Sequence, residues 1–269
     1  MRSLVDDPAK AELVRDCYFD LPVERAAERF HASAEWGAVR NILGPARGRA
    51  LDIGAGNGIV SYALASDGWQ ATALEPDPSD LVGSGAIRRL SAHFNANIEI
   101  LEGFGEAIPM PDASFDLVLA RQVLHHAGDL NAFCAEVARV LKPGGVFFAY
   151  RDHVVNGPEQ LQMFFDRHPL HSLYGGENAF PEGTYRDAIA KAGLDVRRRW
   201  RQFEAAFNFA PKSPYDIAFE AASRALPVPL ARPLAAVAGS RRLYPLLGKA
   251  LSTVDRRPGR IVAFLAVKP

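Results

Sequence analysis

The sequence predicts an α/β fold, a mostly parallel seven-stranded sheet with helices on both faces. Three observations predict it. Short apolar runs alternate with helical stretches from residue 50 to residue 150, the pattern of a parallel sheet covered on both sides. A glycine-rich turn follows the first run and opens a helix. The chain has 269 residues with 48% hydrophobic content, enough to bury a large core without disulfides or metals.

The elements follow in order. Residues 8–43 read as helical: Leu13, Cys17 and Leu21 are four apart, and Val23, Ala26, Ala27 and Phe30 continue the helical spacing. Pro22 separates two helices there, because proline cannot continue one. Residues 50–53 form the first strand, 59–66 a helix, 70–74 the second strand and 80–94 a helix despite its glycines. Strands at 98–101 and 115–120 precede a helix at 131–141. Lys142-Pro143-Gly144-Gly145 stops that helix, since glycine accepts left-handed dihedrals. A fifth strand follows at 146–150, a helix at 181–192 ends at Gly193, and 196–207 alternates charged and apolar residues as a sixth strand. The last strand is 261–267. Between the last two lies an insert, residues 211–258, rich in Ala, Leu, Pro and Arg. Its prolines at 227, 229, 233 and 245 argue against one long amphipathic helix. Residues 1–269 thus read as a single domain, with 46–155 as its ligand-binding core.

Composition narrows the function classes. Cys17 and Cys134 are far apart and show no metal-ligand spacing, which points to a reducing compartment. The first residues carry acids and a proline where a signal peptide needs an apolar stretch. No apolar run approaches the roughly 18 residues of a spanning helix. A soluble, cytoplasmic protein is expected. Formal charge is zero, yet from Val196 onward 14 Lys or Arg face four acids, 14 − 4 = +10. Those arginines are scattered, and no aromatic-interleaved basic strand accompanies them, so nucleic acid is excluded as a partner.

The informative turn is Asp52-Ile53-Gly54-Ala55-Gly56-Asn57-Gly58. A dinucleotide fingerprint places its third glycine five residues after the first, whereas Gly58 comes four after Gly54. That spacing, with an acid two residues before Gly54, argues against a nicotinamide oxidoreductase. With no pyrophosphate to neutralise, the carboxylate suits a cationic, amino-acid-bearing cofactor.

Asp52 to Gly58 resembles motif I of the class I S-adenosylmethionine-dependent methyltransferases. Glu75, closing the second strand, matches the acid that in this family takes both ribose hydroxyls, as a carboxylate can. Gly105-Glu106-Ala107-Ile108-Pro109-Met110-Pro111-Asp112-Ala113-Ser114-Phe115-Asp116 and Leu141-Lys142-Pro143-Gly144-Gly145 are similar to further motifs of the subgroup that includes ubiquinone/menaquinone C-methyltransferases. The resemblance spans residues 50–150 and implies a Rossmann-like sheet, S-adenosylmethionine as cofactor and methyl transfer as activity. It implies a cofactor site of Asp52, Gly54, Ala55, Gly56, Gly58, Glu75, Pro76, Phe104, Gly105, Glu106, Arg121 and His126. Phe104 departs from the pattern, standing where many relatives have Asp or Ser. It either packs on the adenine or belongs to the core.

The acceptor is expected beyond the carboxyl ends of strands four and five, next to Arg121-Gln122-Val123-Leu124-His125-His126 and Tyr150-Arg151-Asp152-His153. In-line displacement mainly needs alignment, and an oxygen acceptor also needs a base. His126 and His153 are the candidates for that base, with Tyr150 and Asp152 as positioning groups; His168 and His171 rank lower. No metal site is expected, because the position after strand four offers Arg121 and Gln122 where a cation-binding enzyme needs acids.

The N-terminal helices, residues 1–45, and the 211–258 insert are expected to form a lid carrying Tyr18, Phe19, Phe30, Trp36, Phe209 and Tyr215, unless these aromatics pack only against one another. The favoured partner is a small-molecule acceptor. Two alternatives stand beside it: a lipid or glycan precursor methylated at a membrane surface, suggested by the basic, apolar stretch 225–249 but less favoured, and a cofactor-binding protein without turnover. Nothing in the sequence specifies an oligomeric state.

Overall fold

The computed structural model describes residues 7–18, 20–167 and 177–269. Phe19, His168 and His171 lie outside the described residues, as does the side chain of Leu13. Seven strands form one sheet: β1 (Arg49–Ile53), β2 (Gln70–Leu74), β3 (Ile98–Leu101), β4 (Phe115–Arg121), β5 (Leu141–Val154), β6 (Asp195–Arg201) and β7 (Arg260–Val267). Their order is β3-β2-β1-β4-β5-β7-β6. β1 to β5 pair in parallel, while β7 is antiparallel to both β5 and β6. The order reverses between β1 and β4, so the crevice at their carboxyl ends is the natural ligand position.

The helices are α1 (Ala11–Asp16), α2 (Val23–His31), α3 (Ala34–Leu43), α4 (Ile59–Ser66), α5 (Ser84–Phe94), α6 (Leu130–Val140), α7 (Pro158–Arg167), α8 (Glu182–Lys191), α9 (Ala206–Phe209), α10 (Pro214–Ser223), α11 (Val228–Ala238) and α12 (Tyr244–Val254). Alternation along the strands splits the core in two. Leu51, Ile53, Phe147 and Ala149 face α6 and α8; Ala50, Leu117, Leu119, Phe148 and Tyr150 face α2 to α5.

The N-terminal helices therefore cover a sheet face. Tyr18, Phe30 and Trp36 are buried there, with ring centroids 5.2 Å (Tyr18 to Phe30) and 5.6 Å (Phe30 to Trp36) apart. Asp67, at the end of α4, fixes this layer by accepting from Trp36 Nε1 (2.8 Å) and Arg40 Nε (2.7 Å) and pairing with His31 Nε2 (2.8 Å). Phe209 packs with Tyr244 and Ile217, and Tyr215 stacks on Phe219 while 40% exposed. The expected lid aromatics among the described residues thus pack in three separate places.

Several boundaries differ from expectation. The second long helix begins at Ser84, after a turn, where residue 80 was expected. Strand six stops at Arg201, because the Arg201 amide bonds the Glu204 carboxylate (3.0 Å) and the chain turns. Phe207, expected in that strand, lies in α9 and fills the core against Phe148 and Trp200. Helix α7 had no counterpart in the expected pattern. Among the described residues no helix is long and apolar enough to cross a membrane.

Candidate active site

The glycine turn hangs from β2: the amides of Gly54 and Ala55 both donate to the Leu74 carbonyl, at 2.8 and 3.1 Å. Gly54, Gly56 and Gly58 all adopt positive φ, of 63°, 56° and 86°, which L side chains rarely tolerate. A Cβ on Gly54 would strike Val123 at 2.7 Å and one on Gly58 would press on Ile87 at 3.0 Å. At Gly56 the nearest atom is the Val82 carbonyl oxygen, 3.9 Å away. That glycine opens onto space for a ligand.

Glu75 closes the same mouth. Its carboxylate accepts from the Gly56 amide (2.7 Å) and the Asp77 amide (3.0 Å). Each oxygen keeps lone-pair capacity for one more donor, as a vicinal diol requires. Burial pushes its pKa up against those two hydrogen bonds. Asp52 is fully buried at the end of β1, where Ser61 Oγ donates to it at 2.6 Å. Burial, opposed by Ser61 and reinforced by Glu75, raises its carboxyl to about 7. A cation beside these two acids would relieve both. Pro76 is exposed next to Glu75, and Ala55 is buried in the turn.

Phe104 is 68% exposed, so it is not core and its face is available for stacking. Gly105 is forced by packing, since a Cβ there would fall 2.2 Å from the Phe133 ring. Glu106 accepts from the Gly128 amide at 2.8 Å, tying the third-strand loop to the segment after β4. Asp52, Gly54, Gly56, Gly58 and Glu75 come together as expected.

Arg121 is hydrogen-bonded elsewhere, although its charge also reaches Asp52 and opposes the rise in that carboxyl's pKa. Its Nε donates to Glu35 Oε1 (2.6 Å), its Nη1 to Gln122 Oε1 (2.9 Å), and its guanidinium lies over the rings of Tyr18 and Phe30. Arg151 Nη1 reaches the other Glu35 oxygen (3.2 Å) and the Ala210 carbonyl (3.0 Å). Glu35, 1% exposed, therefore joins α3 to the ends of β4 and β5 and to the insert. Burial alone would raise its pKa, but the two arginines more than offset this and hold it below the ordinary 4.5. Gln122, just after β4, and Arg151, at the irregular stretch of β5 between Ala149 and Asp152, carry positive φ, of 58° and 65°, uncommon for non-glycine residues.

On the acceptor side, the short 3-10 helix Leu124–His126 turns His125 inward and leaves His126 out. His125 is buried, its Nδ1 lies 2.9 Å from Asp152 Oδ1, and its Nε2 lies 3.7 Å from Glu177 Oε2. Burial lowers its pKa, yet the Asp152 and Glu177 carboxylates outweigh burial and leave it raised. His126 Nε2 lies 3.8 Å from the same Glu177 oxygen, with 42% of its side chain exposed. His153 is half-buried: Nδ1 lies 3.0 Å from the Gly259 carbonyl, and its ring meets those of His125 and Phe164, each at 4.9 Å. Tyr150 is wholly buried, stacked on Phe148, and its hydroxyl has no hydrogen-bond partner among the described residues. It sits in the core, with its ring also meeting Phe207 at 6.1 Å. Asp152 positions His125.

Glu35, Asn57, His125 and Glu177 were not expected. Glu35 had a signal, an acid between apolar helix positions beside Trp36 and four before Val39, both buried. Asn57, inside the glycine turn, donates from Nδ2 to the Tyr18 carbonyl at 2.7 Å and pins the N-terminal segment. A cavity of about 400 Å³ lies between the insert and β7, lined by Arg151, Phe209, Ile217, Arg224 and Arg256 among others. It does not reach the glycine turn's residues.

Residues 51–149 match a family model described as a methyltransferase domain. A ubiquinone biosynthesis O-methyltransferase of Rhizobium etli is 32% identical over 187 residues, covering 66% of this chain and 73% of that protein. A dimethylglycine N-methyltransferase of Parasynechococcus marenigrum is 36% identical over 133 residues, 48% of this chain and 47% of that protein. The chain thus spans about half the length of some curated relatives and nearly three quarters of others. Among solved structures, a geranyl diphosphate C-methyltransferase of Streptomyces coelicolor superposes with a TM-score of 0.60 at 12% identity, covering 100% of this chain and 86% of that one.

Proposed function

The chain belongs to the class I S-adenosylmethionine-dependent methyltransferases, and from that premise we propose that it methylates an oxygen of a small organic acceptor held over the ends of β4 and β5. S-adenosylmethionine, when bound, supplies an electrophilic methyl carbon on a sulfonium sulfur. Asp52, Gly54, Ala55, Gly56, Gly58, Glu75, Pro76, Phe104, Gly105 and Glu106 hold it: Glu75 takes the ribose hydroxyls, Phe104 flanks the adenine, and Gly56 keeps the entrance clear. Asp52 contributes the negative end of the site. Arg121 acts from behind, through Glu35, by fixing the end of β4.

One observation carries the acceptor side. His125, His126 and His153 cluster with Asp152 and Glu177 at the strand ends where an acceptor must lie. His126 is the exposed member and is the group that takes the acceptor proton, a task suited to an imidazole near neutral pH. Asp152 orients His125, which supports the neighbouring ring. The test is S-adenosylhomocysteine formation across phenols, catechols, sugars and amines. A hydroxylated acceptor should turn over, and His126→Ala should lower kcat by about 100-fold or more without weakening S-adenosylhomocysteine binding. Turnover of amines alone would overturn the oxygen assignment.

A second reading, a lipid-linked acceptor, is favoured by the insert. Residues 221–254 contain five Lys or Arg and no acid. On α11, Ala231 and Ala235 face inward while Leu230, Leu234 and Val237 are 59%, 48% and 58% exposed. Such a face suits an anionic membrane surface. Pelleting with anionic vesicles that is lost in salt would favour it; equal recovery in the supernatant with and without vesicles would dismiss it.

A further inference from the structure

We propose that His125, His126 and Glu177 form a binding site for a divalent transition-metal ion. The site shares His126 with the acceptor-side reading: an imidazole whose Nε2 holds an ion cannot take a proton there, so the two roles belong to different states of the chain, and ion binding is testable without turnover.

One ligand atom from each residue falls within 4.8 Å of the other two. Both imidazole Nε2 atoms approach one Glu177 oxygen, at 3.7 and 3.8 Å. A tetrahedral ion with bonds of about 2.0–2.2 Å separates its ligands by roughly 3.4 Å. The two His–Glu spacings therefore need a shift of only a few tenths of an ångström.

The surroundings fit an ion as well as the ligands do. Asp152 Oδ1 accepts from His125 Nδ1–H at 2.9 Å, and also from the His125 amide at 3.2 Å. That bond fixes the tautomer with the lone pair on Nε2, toward Glu177, the carboxylate–histidine arrangement that orients metal-ligating imidazoles. Among the described residues the buried Asp152 Oδ2 has no hydrogen-bond partner, which leaves a carboxylate oxygen that a nearby cation would favour. Two imidazoles and one carboxylate suit zinc, cobalt, iron or manganese better than magnesium or calcium. The exposed edge of His126 leaves coordination positions facing solvent, where a water or an acceptor oxygen can bind. The competing arrangement is an imidazolium at His125 held between Asp152 and Glu177, which binds no ion.

The experiment uses the full chain freed of metal with chelator, titrated with Co²⁺ by visible absorption and with Zn²⁺ by calorimetry. One ion per chain should bind, with the d–d bands of a low-coordinate nitrogen and oxygen site. His126→Asn and Glu177→Gln, which remove little packing, should each weaken binding at least about 10-fold, and Asp152→Asn by about 10- to 100-fold. Melting temperatures of His126→Asn and Glu177→Gln, and the S-adenosylhomocysteine affinity of Glu177→Gln, should stay near wild type. Absence of cobalt bands in the wild type, or unchanged affinity in both His126→Asn and Glu177→Gln, overturns the site. Ion binding with no turnover on any acceptor would instead count against the oxygen-methylation reading and leave the site standing.

Discussion

Glu35 is the residue whose replacement should be felt most widely, because one carboxylate holds three parts of the chain. In Glu35→Gln the shape is kept and the charge removed, leaving Arg121 and Arg151 facing a neutral amide. Both guanidinium side chains are nearly buried, at 11% and 13% exposure, and Glu35 at 2%. Breaking a buried pair by removing one partner costs about 3–5 kcal/mol. The amide oxygen can still accept one bond, which places E35Q near the lower end, about 3 kcal/mol. In a chain of this size that lowers Tm by roughly 6–12 °C. Glu220→Gln, which removes the exposed partner of Lys212, should move Tm by no more than about 2 °C.

Thermal denaturation by circular dichroism, repeated across pH, checks both size and cause. Glu35 has a folded pKa below its ordinary 4.5. Its contribution is therefore fully present above that value and lost as pH falls through the folded pKa. The gap between wild type and E35Q should be constant above the ordinary 4.5 and close as pH falls further, through the lowered folded pKa. A variant melting within about 2 °C of wild type at pH 7.5 would refute the clamp. A gap that persists undiminished in acid would show that the carboxylate's charge is not its source.

Asp52 has the opposite sign. Its folded pKa of about 7 lies above the ordinary 3.8, so the stability it contributes is full below the lower value and lost as pH rises through the higher. Asp52→Asn should gain Tm relative to wild type as pH goes from 5 to about 8; a pH-independent difference would mean Asp52 does not titrate there. Glu75→Ala removes the proposed acceptor of two ribose hydroxyls and should weaken S-adenosylhomocysteine binding by about 100-fold or more in calorimetry. Gly56→Val adds a β-branched side chain at φ 56° in the open entrance and should abolish that binding while the circular dichroism spectrum is retained. His153→Ala should lower turnover and leave cofactor affinity alone; unchanged turnover would remove it from the acceptor site.

The cofactor side was legible because backbone does most of its work. Gly54, Gly56 and Gly58 announce left-handed dihedrals, and Glu75 ends a strand whose apolar run fixes where it points. The acceptor side depends on side chains brought together from residues 125, 126, 152, 153 and 177, and no local period encodes that meeting. His126 was chosen and His125 passed over, since only the 3-10 turn decides which imidazole faces inward. The pairing of Arg121 with Glu35, 86 residues away in sequence, is likewise invisible to any local pattern. Phe207 continued the alternation of strand six by coincidence, and the turn formed by Arg201 and Glu204 was invisible to a period of two.

The N-terminal segment is bound to both banks of the cofactor crevice, and this has consequences for how the enzyme handles its ligand. On one bank Asn57, within the glycine turn, holds the Tyr18 carbonyl. On the other Arg121, at the end of β4, holds Glu35 and lies over the Tyr18 and Phe30 rings. The segment is tied to the glycine turn through Asn57, so if a ligand orders that turn, linkage requires the segment to favour the ligand in return. Tyr18, Phe30 and Trp36, expected to line a pocket, instead pack against one another within this segment. The glycine turn and the end of β4 are thus both tied to the N-terminal segment. That is why the 51–149 region shared with the family is legible by motif, while its N-terminal support had to be read from burial and charge.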